Sequence, residues 1–300
     1  MKVRILGADS MGVRSLATLI DCNGVLIGID LGASLAPVRF GLPPHELEFR
    51  RLEETLDLIR RALAESQITV ITHYHYDHYM RDEIELYFGK TLIVKDPHRD
   101  INFSQRIRSY RFLKKSGLIH KAKVELGDGR TFSIEKDLTI EVSPPVWHGE
   151  TESAVGKVLM VKILCNDTVA IFASDTQGPV DDKALRTLLD WSESRVKFLI
   201  MGGPATYLEG LKIKKKASEK GLDNLFRLIE TAKPETLIVD HHLLRDENYR
   251  TYLERHIQAA SQHKVRLVTA AEHEGRPIEQ LEAKRRELWR RDIEDLDSYS

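Results

Sequence analysis

The sequence has little cysteine, no long apolar run and almost no net charge, and each shortage excludes a class of protein. Two cysteines among 300 residues, Cys22 and Cys165, are too few for a disulfide framework and favour a reducing interior. No apolar stretch reaches the ~18 residues of a membrane span, and residues 1–6 are typical of a strand rather than of a signal peptide. Because 45 basic residues nearly balance 46 acidic ones, any anionic partner must be bound by a local patch. We therefore predict a soluble, cytoplasmic protein without a membrane partner, in which both cysteines are small buried side chains.

The order of predicted elements is that of a mixed α/β protein. Hydrophobic residues make up 42% of the chain and charged residues 30%, as in a globular protein. Short apolar strands alternate with amphipathic helices, beginning with a meander of three strands that ends at residue 29. A helix is predicted over 46–66, a basic helix over 103–116 and a highly charged one over 279–295. The Gly127-Asp128-Gly129 turn predicts a hairpin between strands 124–126 and 131–134.

Four predicted strands end in, or lead directly to, side chains that commonly bind metal ions: His73, His148, Asp175 and His241. The first is part of the motif His73-Tyr-His-Tyr-Asp-His78, which follows the β-branched strand 68–72. In an extended segment His73 and His75 face the same side, and a turn after them can aim Asp77 and His78 at a neighbouring point. Imidazole and carboxylate groups are ordinary ligands of zinc, and the same set suits iron, manganese or nickel. The motif predicts a metal site.

Each downstream residue also has a simpler interpretation. His148 can be a core histidine beside Trp147, and Asp175 can be a turn residue. His241 and His242 are adjacent and project differently, so we expect only one of them to bind metal. Asp240 can be an acceptor that fixes the tautomer of a ligand ring, or an ordinary residue at a strand end.

Two basic stretches bear on the substrate. Residues 99–115 carry six basic residues with three aromatic ones interleaved: Arg99, Arg106, Arg108, Arg111, Lys114 and Lys115, with Phe103, Tyr110 and Phe112. Residues 212–220 carry five lysines: Lys212, Lys214, Lys215, Lys216 and Lys220. Such stretches bind phosphates and stack on bases, or they form solvated surfaces, and the runs alone do not establish nucleic-acid binding. The segment from Gly7 to Gly12 lacks the Lys-Ser/Thr of a phosphate-binding loop.

Together these motifs resemble the metallo-β-lactamase superfamily. The signature is His73-Tyr-His-Tyr-Asp-His78 after an apolar strand, followed in order by one His, one strand-end Asp and a final His. The opening, Leu6-Gly-Ala-Asp-Ser-Met-Gly-Val-Arg14 with a hairpin ending at Asp30-Leu-Gly32, resembles the tRNA-3′-processing, RNase Z-like branch. The chain is most similar to an archaeal family of this superfamily, through five stretches: 71–78, Ile101-Asn-Phe-Ser-Gln105, Ser143-Pro-Pro145, Ser174-Asp-Thr-Gln-Gly178 and Asp240-His-His-Leu-Leu-Arg245.

The resemblance implies a four-layer αβ/βα sandwich with two metal ions at one edge of its sheets. It spans residues 1–275 as a hydrolase domain and leaves 276–300 as a charged helix packed on that domain or extending from it. Carried over position by position, one ion is bound by His73, His75 and His148, and the other by Asp77, His78 and the last His, with Asp175 bridging. By analogy with the RNase Z-like branch, the last ligand is His241, and His242 donates a proton to the leaving group or simply packs.

The implied function is hydrolysis by a hydroxide that two divalent ions activate. The ions are expected to be zinc, with manganese or iron as alternatives, and the second oxygen of Asp77 can orient the attacking water. The first substrate hypothesis is a phosphodiester in nucleic acid or a nucleotide, and the second is a thioester, lactone or other small acyl ester. A third hypothesis is a non-hydrolytic, iron-binding redox protein.

Overall fold

The first part of the chain forms a six-stranded sheet, called sheet 1 here. The computed structural model describes residues 1–211 and 213–298, and side chains as far as residue 294. The strands of sheet 1 lie side by side in chain order: β1 (Lys2–Ala8), β2 (Leu16–Cys22), β3 (Val25–Ile29), β4 (Ile68–Ile71), β5 (Thr91–Val94) and β6 (Lys123–Leu126). The first three are antiparallel, which confirms the predicted meander, and β4 to β6 run parallel to β3.

A seven-stranded sheet 2 and a two-stranded ribbon follow. The strands of sheet 2 are β7 (Thr131–Glu135), β8 (Leu138–Val142), β11 (Val161–Cys165), β12 (Thr168–Phe172), β13 (Val196–Gly202), β14 (Thr236–Asp240) and β15 (Arg266–Val268). The ribbon pairs β9 (Val146–Trp147) with β10 (Lys157–Val158). The strand order in sheet 2 is β15-β14-β13-β12-β11-β8-β7. Strands β12 to β15 are parallel, so that the carboxyl ends of β12 and β14 lie at the same edge.

Helices cover the outer face of each sheet. The α-helices of the described chain are α1 (Glu46–Glu65), α2 (Phe103–Ser109), α3 (Asp182–Trp191), α4 (Lys215–Thr231), α5 (Tyr249–His263), α6 (Ala270–His273) and α7 (Arg285–Ser298). Ile59 and Leu63 of α1 pack on sheet 1, and Leu188 of α3 and Leu225 of α4 pack on sheet 2. A third buried cluster fills the space between the two sheets. The predicted four-layer sandwich is thereby confirmed, because each sheet buries one face on the other sheet and one on helices.

The predicted hairpin around Gly127-Asp128-Gly129 is wrong. Strand β6 pairs with β5 in sheet 1, whereas β7 pairs with β8 in sheet 2, so the turn is a crossing between sheets. The Asp128 carboxylate accepts hydrogen bonds from Lys95 Nζ (2.6 Å) and the Asp96 amide (2.7 Å), which attach the turn to the end of β5. A side chain on Gly127 would meet Ile93 at 3.0 Å, so a glycine suits this passage.

The cysteines are paired rather than being two separate small side chains. Cys22 at the end of β2 and Cys165 at the end of β11 are both buried and form a disulfide between the sheets. With the pair oxidised, the cysteines no longer argue for a reducing interior, and the cytoplasmic location stays a prediction. In the part of the chain that the structure describes, no helix has both the length and the apolar character that a membrane crossing needs.

Two predicted helices differ from those observed. The basic helix is α-helical only to Ser109 and continues as a π-helical turn, Tyr110–Lys115. The last helix begins at Arg285, and the segment before it is irregular but bonded to the rest of the molecule. Glu279 pairs with Arg51 at 2.7 Å, and Arg285 is buried against Glu48 at 2.7 Å. The division of the chain at residue 275 stays a prediction.

Candidate metal centre

The ends of four strands bring the predicted ligands to one edge of the two sheets. His73 follows β4 by two residues, and His148 follows β9 directly. Asp175 comes three residues after β12, and His241 directly follows β14. Because β4, β12 and β14 all present their carboxyl ends at this edge, residues far apart in sequence meet there.

The backbone at this edge is strained. Three residues beside or in the site adopt the left-handed region, Asp30 (φ 48°), Ser174 (φ 52°) and His241 (φ 58°). None of them is glycine, and such conformations persist only where the surroundings impose them, often at functional sites. Gly32 lies against the backbone after His78, where a Cβ atom would be 2.1 Å from the Tyr79 nitrogen. The chain passes the motif too closely for any side chain at position 32.

Asp175 lies at the centre of the cluster. Its Oδ2 atom lies near the Nε2 atoms of five histidines: His148 at 3.1 Å, His78 at 3.2 Å, His241 at 3.3 Å, His242 at 3.3 Å and His73 at 3.7 Å. The carboxylate and these rings are almost entirely buried. A buried carboxylate surrounded by ring nitrogens is the arrangement expected when cations bind among them.

The donor atoms fall into two main groups around Asp175. His73, His75 and His148 form the first group with Asp175, and the His73 Nε2 to His75 Nδ1 distance is 3.0 Å. Asp77, His78 and His241 form the second group, in which Asp77 lies 3.9 Å from His78 Nε2 and 3.7 Å from His241 Nε2. The structure thus brings together all seven predicted metal ligands, and it places His242 in contact with them.

Asp30 holds two of the candidate ligands. Its Oδ2 atom accepts hydrogen bonds from His78 Nδ1 (2.9 Å) and the Thr72 hydroxyl (2.6 Å). Because the Thr72 hydroxyl gives its proton to Asp30, its oxygen can only accept from His73 Nδ1, at 3.0 Å. Both rings therefore carry a proton on Nδ1 and turn Nε2 towards the centre of the cluster, as metal-binding histidines do.

Asp9 holds His241 in the same way. Its Oδ2 atom accepts from His241 Nδ1 at 2.8 Å, and its Oδ1 atom accepts from Arg245 Nε at 2.9 Å. Asp240, the sequence candidate for this role, instead accepts backbone amide protons from Ser10 (3.0 Å) and His241 (2.7 Å). That proposed role of Asp240 is therefore wrong: at the strand end its carboxylate turns back to the backbone, and the ring's partner comes from the opening loop.

His242 has the opposite tautomer to His241. Its Nδ1 atom lies 3.2 Å from Arg245 Nη1, and a guanidinium has only protons to give. His242 Nδ1 must therefore accept, which leaves the proton on Nε2, directed at Asp175 Oδ2 at 3.3 Å. His242 is arranged as a hydrogen-bond donor, whereas His241 is arranged as a ligand.

The pKa values of the cluster follow from burial and mutual proximity. Burial and the neighbouring His148 lower the pKa of His75 to about 3, and burial and His78 hold that of His73 well below its usual range. Burial also opposes charge on His241, but the Asp175 carboxylate outweighs it and raises the pKa to about 9. Burial favours a neutral Asp175, but His241 and His78 outweigh it and keep that pKa well below normal. The carboxylate is ionised, and it relies on positive charge around it.

A cleft of about 1340 Å³ opens onto the cluster. Of the basic residues in the first stretch only Arg108 lines it, and of the described lysines in the second only Lys214; Lys212 lies outside the described residues. Phe112 is a core residue rather than a surface for stacking, whereas Phe103 and Tyr110 are exposed. His148, Asp77 and His242 also face the cleft, so a ligand in it contacts the cluster directly.

Two facing sheets with helices on both outer faces, and a His/Asp cluster at one sheet edge, define a protein of the metallo-β-lactamase fold. No known family model matches the chain. A UPF0282 protein from Aeropyrum pernix is 53% identical over 290 residues, 97% of this chain and 99% of that protein. Another from Korarchaeum cryptofilum is 40% identical over 290 residues, 96% of this chain and 94% of that protein. The chain belongs to the UPF0282 family.

Solved structures share the fold at low sequence identity. An isothiocyanate hydrolase from Delia radicum gut bacteria has a TM-score of 0.55 and 13% identity, over 89% of this chain and 95% of that one. The CmlA β-hydroxylase E377D mutant has a TM-score of 0.52 and 12% identity, over 86% of this chain and 51% of that one. The chain spans about half of the CmlA chain, and both likenesses concern the fold alone.

Proposed function

We propose that this protein is a hydrolase that uses two divalent metal ions bound around Asp175. The observation that carries the proposal is the position of Asp175 Oδ2, within 3.1–3.7 Å of five buried ring nitrogens. A bridging carboxylate between two groups of histidine ligands is typical of dinuclear hydrolytic sites, whose ions are about 3.5–4 Å apart.

The donor atoms present fit such ions. His78 Nε2 and Asp175 Oδ1 are buried without a hydrogen-bond partner among the described residues, and His78 Nε2 faces the centre of the cluster, 3.2 Å from Asp175 Oδ2. Leaving such atoms unpaired costs about 1–3 kcal/mol each, which a bound cation would offset. The proposed ligands are His73, His75 and His148 for one ion, and Asp77, His78 and His241 for the other, with Asp175 between them. Nitrogen and oxygen donors favour zinc, and iron and manganese suit the same set.

The chemistry that two such ions supply is a water of lowered pKa, and so hydroxide at neutral pH. The protein's own groups do the rest. Asp77 faces the cleft with 16% of its side chain exposed, so that its free oxygen can accept a hydrogen bond from a water and orient it. His242 presents its Nε2–H group to the same space, where it can donate a hydrogen bond to a leaving-group oxygen.

A phosphodiester is the substrate we favour. The opening segment that resembles the RNase Z-like branch supplies Asp9, which holds His241, and Arg14, which lines the cleft. Arg81, Arg108 and Lys214 add further positive charge to the cleft walls. A small acyl or related substrate is the second candidate, because Leu52, Leu56 and Met80 give the same cleft an apolar side.

The test combines metal analysis with a substrate panel. Purified protein is analysed for zinc, manganese and iron, and assayed on bis-p-nitrophenyl phosphate, RNA, a thioester and a lactone. We expect two metal ions per chain and phosphodiester cleavage that Asp175→Asn abolishes together with much of the bound metal. The exposed Asp190→Asn is the control and should change neither. Full metal content and activity in Asp175→Asn would refute the proposal.

The two adjacent histidines provide a second test. His241→Gln is expected to lose metal, whereas His242→Gln should keep the metal content and lose turnover. The loss in His242→Gln should shrink on substrates whose leaving group is stable as an anion without such a hydrogen bond, such as p-nitrophenolate. An equal metal loss in both variants would mean that the tautomers assigned here are wrong.

A further inference from the structure

The helix that ends in a π-helical turn, residues 103–115, is unusually basic. It carries five cations and no acidic residue: Arg106, Arg108, Arg111, Lys114 and Lys115. Among the residues that the structure describes, none of the five forms an ion pair with a carboxylate. On α1, by contrast, Arg50 pairs with Glu46 and Arg60 with Asp57. The positive charge of segment 103–115 is therefore not neutralised within the fold.

Two aromatic side chains lie exposed among these cations. Phe103 is 77% exposed and Tyr110 is 57% exposed, whereas Phe112 on the same segment is buried in the core. Positions 103, 106 and 110 are three and four residues apart, so Phe103, Arg106 and Tyr110 lie along one face. Exposed rings alternating with guanidinium groups are the combination that binds single-stranded nucleic acid, because bases stack on rings while cations contact phosphates.

The same segment also reaches the cleft over the metal centre, on another side of the helix. Arg108 lines the cleft and also an adjoining hollow of about 290 Å³, which Arg111 lines as well. The guanidinium groups of Arg108 and Arg81 each lie 4.4 Å from the ring centroid of Tyr76. Tyr76 stands between the candidate ligands His75 and Asp77 in the motif. Cationic and aromatic groups thus form a path from segment 103–115 to the cluster.

The second lysine-rich stretch does not offer a comparable surface. Lys215 lies 3.8 Å from Glu219, and Lys220 lies 2.7 Å from Asp182, so acids already accompany both. The cleft itself includes acidic side chains as well, such as Asp82, Glu150 and Glu152. Segment 103–115 therefore differs from the other stretch because, among the described residues, its own cations have no carboxylate partner.

We infer that segment 103–115 is a docking surface for single-stranded nucleic acid, which it leads towards the metal centre. Arg106, Arg111 and Lys114 contact the phosphates, and Phe103 and Tyr110 stack on bases. That the bound strand is then hydrolysed at the metal centre rests on the proposed function. Binding to the surface is tested separately from hydrolysis.

The test measures binding of fluorescein-labelled 15-nucleotide RNA and DNA by fluorescence anisotropy, from 50 to 200 mM salt. The integrity of the oligonucleotides is checked on a gel after each titration. The triple variant Arg106→Ala/Arg111→Ala/Lys114→Ala removes three phosphate contacts. It should weaken binding on the order of tenfold at 50 mM salt and reduce the salt slope by about 2. The control Arg50→Ala/Arg61→Ala/Arg227→Ala removes three exposed cations elsewhere and should bind like the wild type.

The aromatic side chains are tested in the same way. Phe103→Ala/Tyr110→Ala should lose at least about fivefold in affinity with an unchanged salt slope, and the 55%-exposed Phe49→Ala is its control. Tighter binding of the RNA or of the DNA oligonucleotide identifies which of the two single-stranded nucleic acids the surface binds. Tighter binding of a duplex than of either single strand would overturn the inference, as would equal losses in the variants and their controls.

The same variants separate this inference from the proposed function. Circular dichroism and thermal melting confirm that each variant is folded, and all of them should hydrolyse bis-p-nitrophenyl phosphate like the wild type. If the wild type cleaves the small diester but the 103–115 variants bind oligonucleotides normally, the docking surface is refuted alone. If no diester is cleaved while these variants lose binding, the proposed function fails and the surface stands.

Discussion

Replacing Asp9 tests whether a carboxylate outside the proposed ligand set controls the proposed second metal site. The carboxylate is buried and accepts from two donors at once, His241 Nδ1 at 2.8 Å and Arg245 Nε at 2.9 Å. In Asp9→Asn the side chain keeps its shape but has one accepting oxygen instead of two. One buried donor therefore loses its partner, and His241 is no longer held with its Nε2 lone pair towards the cluster.

The structure sets the size of the expected effect. Loss of such a partner typically reduces metal affinity about 10- to 100-fold, which corresponds to roughly 1.4–2.7 kcal/mol. Only the group of His241, His78 and Asp77 should weaken, because Asp9 makes no bond to His73, His75 or His148. Arg245 also loses its nearest negative charge, so the free energy of unfolding should fall by up to about 3–5 kcal/mol.

Competition with a fluorescent zinc chelator measures the two affinities separately, and urea unfolding measures stability. Asp240→Asn is the matched control, because Asp240 is as buried but accepts from backbone amides. It should lower stability with a smaller effect on the second zinc ion. If both zinc affinities are unchanged in Asp9→Asn, the role of Asp9 is refuted. If Asp240→Asn loses as much zinc affinity as Asp9→Asn, the loss comes from distortion of the loop and not from the Asp9–His241 bond.

Three further predictions concern stability. Reduction of the Cys22–Cys165 disulfide, which joins residues 143 apart, should lower the free energy of unfolding by up to about 5 kcal/mol, measured in urea with and without reductant. Burial opposes ionisation of Glu282, but the contacts with Arg14 outweigh it and lower the pKa to about 2. The stability that this ion pair contributes is present above pH 4.5 and is lost as the pH falls towards 2. In Glu282→Gln the free energy of unfolding should therefore depend less on pH between 4.5 and 2. Removal of bound metal by a chelator should lower the melting temperature, and readdition of the metal should restore it. When the free metal concentration is 1000 times the dissociation constant, the stabilisation that the chelator removes is about 4 kcal/mol.

Local sequence could predict the strands and the sheet edge at which the candidate ligands meet. The run Ile-Thr-Val-Ile is typical of a buried strand in an α/β protein, and the side chains that directly follow such a strand lie at an edge of its sheet. The same reasoning applies to Asp175 and to His241, each of which follows an apolar strand. Where the signal was a strand followed by a ligand side chain, sequence and structure agree.

Features that depend on pairing across the sandwich could not be predicted in this way. The disulfide joins strands of opposite sheets, and neither cysteine carries a local mark of its partner. A Gly-Asp-Gly turn is compatible with a hairpin, and only the pairing of β6 with β5 and of β7 with β8 shows that the chain changes sheets there. The tautomers of His241 and His242 likewise follow from partners that are remote in sequence, Asp9 in one case, or specific in geometry, Arg245 in the other. Asp9 stands in the Gly-rich opening of the chain, and no local pattern there indicates that it binds a histidine 232 residues later.

The last segment of the chain completes the site from outside, which makes the predicted boundary at residue 275 testable. Arg14, in the opening loop that carries Asp9, is held by two bonds to Glu282, at 2.5 and 2.6 Å. The fully buried Arg285 and Glu48 pair at 2.7 Å through two bonds, fixing the start of α7 to α1.

A chain ending at residue 275 would leave the Glu48 carboxylate buried without its partner, at a cost of about 3–5 kcal/mol, and would free Arg14. We expect it to melt at a lower temperature and to bind the second metal ion weakly. Arg285→Met in the full chain should reproduce the loss of stability, and adding Glu48→Leu should recover part of it, because the unpaired charge is then gone. A truncated chain with the melting temperature and metal content of the full one would establish residues 1–275 as a domain that folds without its C-terminal segment.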